Sequence, residues 1–367
     1  MSEKISIILP IFNVGDHLRG GIDSLINQTI GQDHLEIIMV NDCSTDGSDK
    51  IIDEYAEKYD CCVAIHHEKN SGAAYTPRNT GLKYCTGDYI MFLDPDDRFT
   101  PDACEMLYNA AKEHDAEMAF GRFRRIFEYG GKVQKSYSPY MDDLSKNYPD
   151  EVFETANFLD VPDFLWDNFI EGFLYGKTIE KTYPRDKPLD VIYVENIEGE
   201  PDLLKMPPSV WSKIYKRELI MDNNIRFQPF ISGDDLAFTL EAFLNAKGIV
   251  LLNNFMCYDY YIRDLPDDKS ITNNVNVRLL DELMESYIYC RKQTEGFSKD
   301  VKNVSVNPHL LYWTNTWKNS PFTKQENKLL LSKVNKLKKI HHTDLKTKML
   351  LSSISTALES KIQIQKE

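Results

Sequence analysis

Hydrophobic and polar positions fall into blocks along the first hundred residues, and the blocks alternate between two periods. Residues 5–10, Ile-Ser-Ile-Ile-Leu-Pro, form a short apolar run of the kind that makes a buried strand. In residues 15–28 the apolar positions Leu18, Ile22, Leu25 and Ile26 recur at helical spacing. The cycle then repeats: a strand is expected at 35–40, a helix at 50–59, a strand at 62–66, a helix at 77–84, a strand at 89–93 and a helix at 100–114. Strands alternating with helices at this spacing predict an α/β fold with a mostly parallel central sheet covered on both faces. Open sheets of that kind bind ligands beyond the carboxyl ends of their strands.

The strand at 89–93 runs into Asp94-Pro-Asp-Asp97, which places three carboxylates at such an end. Hard oxygen donors without Cys or His beside them suit Mg²⁺ or Mn²⁺ rather than Zn²⁺. A polar turn in which Asp97 caps the following helix is the structural alternative. No G-x-G-x-x-G follows the first strand and no G-x-x-x-x-G-K-[ST] occurs anywhere, which argues against a dinucleotide oxidoreductase and a P-loop ATPase. The first strand leads instead into Pro10-Ile-Phe-Asn13 and the second into Asn41-Asp42, where a carboxylate can accept from the N3–H of uracil.

Taken in order, Pro10-Ile-Phe-Asn13, Val40-Asn-Asp-Cys-Ser-Thr-Asp46, Asn70-Ser-Gly-Ala73, Pro77-Arg-Asn-Thr-Gly81 and Phe92-Leu-Asp-Pro-Asp-Asp97 resemble glycosyltransferase family 2, the inverting sugar-nucleotide transferases of the GT-A fold. The likeness runs through residue 120 and resumes at 211–246. It implies that Pro10, Phe12 and Asn13 line the base and ribose pocket, that Asp42 reads uracil, and that Asn70 belongs to the same donor site. Arg78 falls where the family places a basic residue near the diphosphate. Asp94 and Asp96 match the metal-binding D-x-D, with Asp96 the metal ligand and Asp94 directed to ribose or sugar.

Inverting displacement of a diphosphate needs an acceptor hydroxyl that loses its proton to a positioned carboxylate. Ser232-Gly-Asp-Asp-Leu-Ala-Phe238 resembles the family's Glu-Asp pair, whose second member is the base. That assigns Asp235 as the base and puts Asp234 in the place of the usual glutamate, near the acceptor; a helix N-cap is the structural alternative for both. Trp211-Ser-Lys-Ile-Tyr-Lys-Arg217 resembles the segment that runs into the sheet edge beside the acceptor, so Trp211 is either a stacking platform for a sugar or a core residue. A strand at 249–252 should precede a loop, 258–263, whose Arg263 either pairs with the diphosphate or is solvated.

Composition limits the rest. With 43 Lys and Arg against 57 Asp and Glu, the formal charge of −14 argues against a nucleic-acid partner. The seven cysteines show neither a zinc spacing nor a disulfide framework, and they read as thiols of a cytoplasmic protein. No apolar run is long enough to cross a bilayer, so a cytoplasmic location, with peripheral contact at the inner face of the plasma membrane, is expected.

A GT-A catalytic domain is expected over 1–267, with a donor half at 1–125 and an acceptor half at 126–267, followed by a helical module at 268–367. Aromatic clusters at 164–166 and 169–175 belong either to a satellite core or to the acceptor site. Lys333, Lys336, Lys338, Lys339, Lys346 and Lys348, with His341 and His342, form either a solvated face or a contact for a polyanion or an anionic membrane.

The resemblance is nearest to bacterial surface enzymes. It implies transfer of N-acetylglucosamine or another hexose from a UDP-sugar to wall teichoic acid, by an enzyme that forms homo-oligomers through its C-terminal part. A capsular or exopolysaccharide transferase acting on a lipid-linked oligosaccharide is the nearer alternative. A sugar nucleotidyltransferase lacks its Gly-rich, basic opening loop here, and an inactive glycan-binding module has no use for Asp42, Asp94, Asp96 and Asp235 together.

Overall fold

The computed structural model describes residues 3–129, 132–137, 188–263, 275–305, 307–340 and 345–365. The aromatic clusters at 164–166 and 169–175, the pair His341 and His342, and the expected domain boundary near 267 lie outside the described residues.

Four parallel strands, β1 (Ile5–Ile11), β2 (Leu35–Asn41), β3 (Cys62–His66) and β4 (Tyr89–Phe92), build the first half of the sheet. They alternate with α1 (His17–Ile26), α2 (Ser48–Lys58) and α3 (Tyr75–Tyr84), and α4 (Ala103–Glu113) follows. Each expected element is present, with its ends displaced by less than a turn. Successive strand residues point to opposite faces, and the burial follows that parity. Ile8, Ile38, Ile90 and Phe92 join one hydrophobic cluster, while Ile7, Leu9, Ile37, Met39 and Met91 join the other beneath α1, α2 and α4.

The second half of the sheet departs from the sequence expectation. It contains β5 (Arg98–Phe99), β6 (Met118–Tyr129), β7 (Lys132–Tyr137), β8 (Val191–Val194), β9 (Lys213–Lys216) and β10 (Ile249–Arg263). The order is β3-β2-β1-β4-β9-β6-β10-β5, with β7 on β6 and β8 on β10. β9 was expected to reach a sheet edge. It lies instead inside the sheet, antiparallel to both β4 and β6, and its Ile214 and Tyr215 are fully buried.

β10 was expected to end at Leu252 and to yield a loop at 258–263. It continues to Arg263 beside β6, through register shifts between Leu251 and Tyr258. Bulges of this kind break the alternation of side chains, and so they hide a long strand from a reading by periodicity.

Short helix α5 (Arg217–Asp222) and then α6 (Asp234–Asn245) close over the first face. Helices α7 (Val277–Gln293), α8 (Lys299–Val304), α9 (Asn307–Lys318), α10 (Lys324–Lys338) and α11 (Leu345–Ile364) follow. Their core is continuous with that of the sheet: Leu280, Tyr287, Trp313 and Leu337 belong to the cluster that holds Phe92 and Phe238. Lys333 pairs with Asp281 at 3.1 Å and Glu285 at 2.7 Å, and Lys336 pairs with Glu285 at 2.8 Å. These two lysines of the basic stretch therefore bind α10 to α7, whereas Lys338, Lys339 and Lys348 are exposed. Among the described residues no helix is long and apolar enough to cross a membrane.

Candidate active site

The loops after β1 and β2 are fastened to each other at the carboxyl end of the sheet. Pro10 is buried in register with Val40, and Phe12 stands 49% exposed. Asn13 sits in the left-handed region at φ 51°, accepts from the Thr45 amide at 2.8 Å through Oδ1, and donates its own amide to Ser44 Oγ at 3.1 Å. An exposed aromatic ring beside a rigid polar loop suits a nucleoside.

Asp42 departs from expectation. Its carboxylate is 2% exposed and receives His67 Nδ1 at 2.7 Å, Ser71 Oγ at 2.8 Å, the Ser71 amide at 3.0 Å and Asn70 Nδ2 at 3.2 Å. The carboxylate was expected to present an open oxygen to a base, and it is enclosed instead by the 67–71 segment. Asn70, expected at the donor site, is spent on Asp42. Sequence reasoning missed His67, which bridges Asp42 to Thr80 Oγ1 at 2.9 Å. A lone His after a strand carries no signal of that kind.

At the end of β4, Asp96 is exposed and Asp94 is partly exposed, while Asp97 is buried. Asp97 does not cap α4, whose N-cap is Asp102. It accepts from the Tyr258 hydroxyl at 2.8 Å and the Tyr261 amide at 2.7 Å, and the Tyr258 hydroxyl accepts from the Asp94 amide at 3.4 Å. Burial, then the nearby charges of Asp96 and Asp94, raise the Asp97 pKa well above the usual carboxylate range. The third aspartate thus ties the D-x-D turn to β10.

Among the described residues no three His, Cys, Asp or Glu side chains gather into a metal cage. Asp94 and Asp96 at a strand end still suit Mg²⁺ or Mn²⁺, which are commonly held by one or two carboxylates and completed by substrate phosphates.

Arg78 on α3 joins this turn to the second motif block. Its Nη2 donates to Asp94 at 2.9 Å, and its Nη1 donates to Asp234 at 2.9 Å and to Asp235 at 2.6 Å. The guanidinium is 5% exposed. Burial opposes its charge, and the attraction of Asp235, Asp94 and Asp234 outweighs burial and raises its pKa. Arg78 was expected at the diphosphate; both of its terminal nitrogens serve carboxylates here.

Asp234 and Asp235 open α6, but the N-cap itself is Gly233 at φ +89°, where a Cβ would meet Ser286 Oγ at 2.3 Å. The two carboxylates therefore occupy the first helical turn, where the helix dipole favours anions. Burial pushes the Asp235 pKa up to about 7 against the pull of Arg78, and burial raises that of Asp234 as well. A part-exposed carboxyl poised near neutrality is suited to take a proton from a hydroxyl.

The structure places two further candidate residues. Trp211 is 8% exposed and lies parallel to Tyr258 at 4.3 Å and to Tyr260 at 5.8 Å. It is a core residue behind the D-x-D turn rather than a platform for a sugar. Arg263 ends β10 in register with Glu128, on a strand rather than a loop, and its side chain lies outside the described residues.

A curled central sheet with an aspartate-rich turn at β4 and a carboxylate pair on α6 is an arrangement of the GT-A fold. Residues 6–164 match the family described as glycosyl transferase family 2. A poly(ribitol-phosphate) beta-glucosyltransferase of Bacillus spizizenii is 29% identical over 259 residues, 70% of this chain and 32% of that protein. A poly(ribitol-phosphate) beta-N-acetylglucosaminyltransferase, TarP, of Staphylococcus aureus is 28% identical over 277 residues, 75% of this chain and 66% of that protein. The chain thus spans about a third of the first relative and just under two thirds of the second. The fold matches a solved structure of S. aureus TarS 1-349 in complex with UDP-GlcNAc at a TM-score of 0.63, with 19% identity, over 99% of this chain and 92% of that one.

Proposed function

We propose that this protein transfers a sugar from a UDP-sugar, with inversion, to a bacterial cell-surface polymer of the teichoic-acid type. The observation that carries the reading is the Arg78 hub. It joins the D-x-D turn to the α6 carboxylate pair, whose Asp234 lies 156 residues beyond Arg78 in sequence. One site then holds both a place for a diphosphate and a carboxylate of suitable pKa to take a proton.

In this reading Pro10, Phe12 and Asn13 line the uridine, and Asp42 meets the base once Asn70 or Ser71 yields an oxygen. Asp94 contacts ribose or sugar, and Arg78 holds Asp94, Asp234 and Asp235 in a fixed relation. Asp235 removes the proton from the attacking hydroxyl, and Asp234 shapes the acceptor side. A divalent cation held by Asp96 would neutralise charge building on the departing diphosphate. Arg263 is a candidate for the same diphosphate. The names of the two relatives support a poly(ribitol phosphate) acceptor. They differ in the sugar, which makes N-acetylglucosamine or another hexose the donor group.

Release of nucleoside diphosphate from a panel of UDP- and GDP-sugars, with Mn²⁺ or with EDTA, tests the reading. UDP-sugars turned over with Mn²⁺ and spared with EDTA are expected; turnover unaffected by EDTA would remove the cation from the account. Calorimetry tests the donor residues. Asp96→Asn should weaken UDP binding in Mn²⁺ by removing a charged oxygen ligand, and Asp42→Ala should weaken UDP more than GDP. Equal losses of UDP and GDP affinity would take Asp42 off the base edge.

A further inference from the structure

Asp235 sits at the end of a loop that has no regular structure of its own. Residues 227–233 run from Phe227 to Gly233, the N-cap of α6, and Asp234 and Asp235 follow at once. Backbone groups of such a loop need partners from elsewhere, and two side chains from distant parts of the chain supply them. Asn79 of α3 donates Nδ2 to the Phe227 carbonyl at 2.8 Å and accepts the Phe227 amide on Oδ1 at 3.0 Å. An amide that both gives and takes a hydrogen bond with one residue fixes that residue as a neighbouring strand would. Glu282 of α7 accepts the Ile231 amide on Oε2, while its Oε1 accepts from Arg278 Nε at 2.9 Å.

The Phe227 end is linked to the base by direct contacts. The Phe227 ring is buried, lies 5.3 Å from the Arg78 guanidinium, and stacks on Phe238 of α6 at 4.2 Å. Arg78 Nη1 in turn donates to Asp235 at 2.6 Å. Since Asn79 follows Arg78 on α3, one turn of that helix grips both the start of the loop and the carboxylate beyond its end. The other end is seated on α7. A Cβ at Gly233 would meet Ser286 Oγ at 2.3 Å, and Phe230 packs edge-on against Tyr289, whose hydroxyl donates to Glu241 of α6 at 2.6 Å. Glu282, Ser286 and Tyr289 are spaced by about one helical turn, so a single face of α7 makes all three contacts.

We propose that Asn79 and Glu282 are positioning residues for Asp235: they fasten loop 227–233 from α3 and from α7, so that the base meets the acceptor hydroxyl in line. The helices that follow the sheet are then a working part of the active site. The proposal rests on the assignment of Asp235 as the base. Loosening the loop moves Asp235 relative to the hydroxyl, whereas the donor side is built on the loops after β1, β2 and β4 and keeps its geometry.

The test is steady-state transfer by the full chain carrying Asn79→Ala, Glu282→Ala or Glu282→Gln, each first checked for a cooperative urea transition. Asn79→Ala removes both bonds to Phe227, and Glu282→Ala removes the acceptor of the Ile231 amide. Each is expected to lower kcat by about tenfold to a hundredfold, the scale of a misplacement of about 1 Å, while the KM for the sugar nucleotide stays within about twofold. Glu282→Gln keeps an oxygen for the Ile231 amide and is expected to recover most of the loss. A purely structural role would lower the urea midpoint and leave kcat alone. Wild-type kcat in folded Glu282→Ala overturns the proposal, as does a raised sugar-nucleotide KM with unchanged kcat, or Glu282→Gln as slow as Glu282→Ala. Glu282 is partly exposed, so its variants decide the matter if Asn79→Ala does not fold. Asp235→Asn, run beside them, separates the two failures. If Asp235→Asn is inactive and Glu282→Ala transfers normally, the positioning role alone fails; if Asp235→Asn transfers normally, the base assignment and this proposal fall together.

Discussion

Replacing Asp235 by Asn is expected to lower transfer to the acceptor by about 10²–10⁴-fold, the usual worth of a general base, with little change in UDP affinity. Asn keeps the size of the side chain, but it cannot take a proton. The wild-type pH profile should show the same group. A base whose pKa is raised to about 7 is protonated and idle below that pH, so transfer should climb as pH passes through 7 and level off above it. Asp234→Asn should cost less, because the proton does not go there. An active Asp235→Asn enzyme with an inactive Asp234→Asn would move the base by one residue.

Arg78→Met is expected to damage both stability and transfer. The substitution leaves Asp94, Asp234 and Asp235 crowded at a partly buried site without the cation that each of them contacts. Removing one member of a buried ionic cluster typically costs about 3–5 kcal/mol, because the remaining charges stay desolvated. The sign of the pH dependence follows. In the variant the folded-state pKa values of Asp234 and Asp235, already raised by burial, rise further above their unfolded values, so folding is favoured where they are protonated and is penalised as pH rises. The urea midpoint of Arg78→Met relative to wild type should therefore improve as pH falls from about 8 to about 6. A deficit independent of pH would mean that the three carboxylates are not held by Arg78. Arg78→Lys should not restore activity, since a single ammonium cannot present the fork that reaches three carboxylates.

Much of the first half of the sheet was legible in the chain because its signals are local. The apolar runs of β1, β2 and β4, the helical spacing of Leu18, Ile22 and Leu25, and the aspartates after Leu93 all lie within single elements. What escaped the sequence was nonlocal. Nothing near Lys213 says that β9 enters the sheet between β4 and β6, and nothing near Arg78 says that its partners lie at Asp234 and Asp235. The bulge between Leu251 and Tyr258 cut a long strand short in the periodic pattern. Trp211 read as either a sugar platform or a core residue, and Asp97 as either a cation-site carboxylate or a helix cap; their burial against Tyr258 depends on β10 crossing behind the D-x-D turn. Asp42 carries the reverse lesson, since its motif predicts an exposed role and the 67–71 segment closes over it.

The most direct measurement is the anomeric configuration of the product formed from an α-linked UDP-sugar, UDP-N-acetylglucosamine first, on poly(ribitol phosphate), read by the anomeric proton coupling in NMR alongside the UDP released. With Asp235 activating a hydroxyl opposite the departing diphosphate, the account predicts a β-linked sugar and one UDP per sugar transferred. An α-linked product would contradict it, because retention cannot arise from a single displacement by a base-activated acceptor.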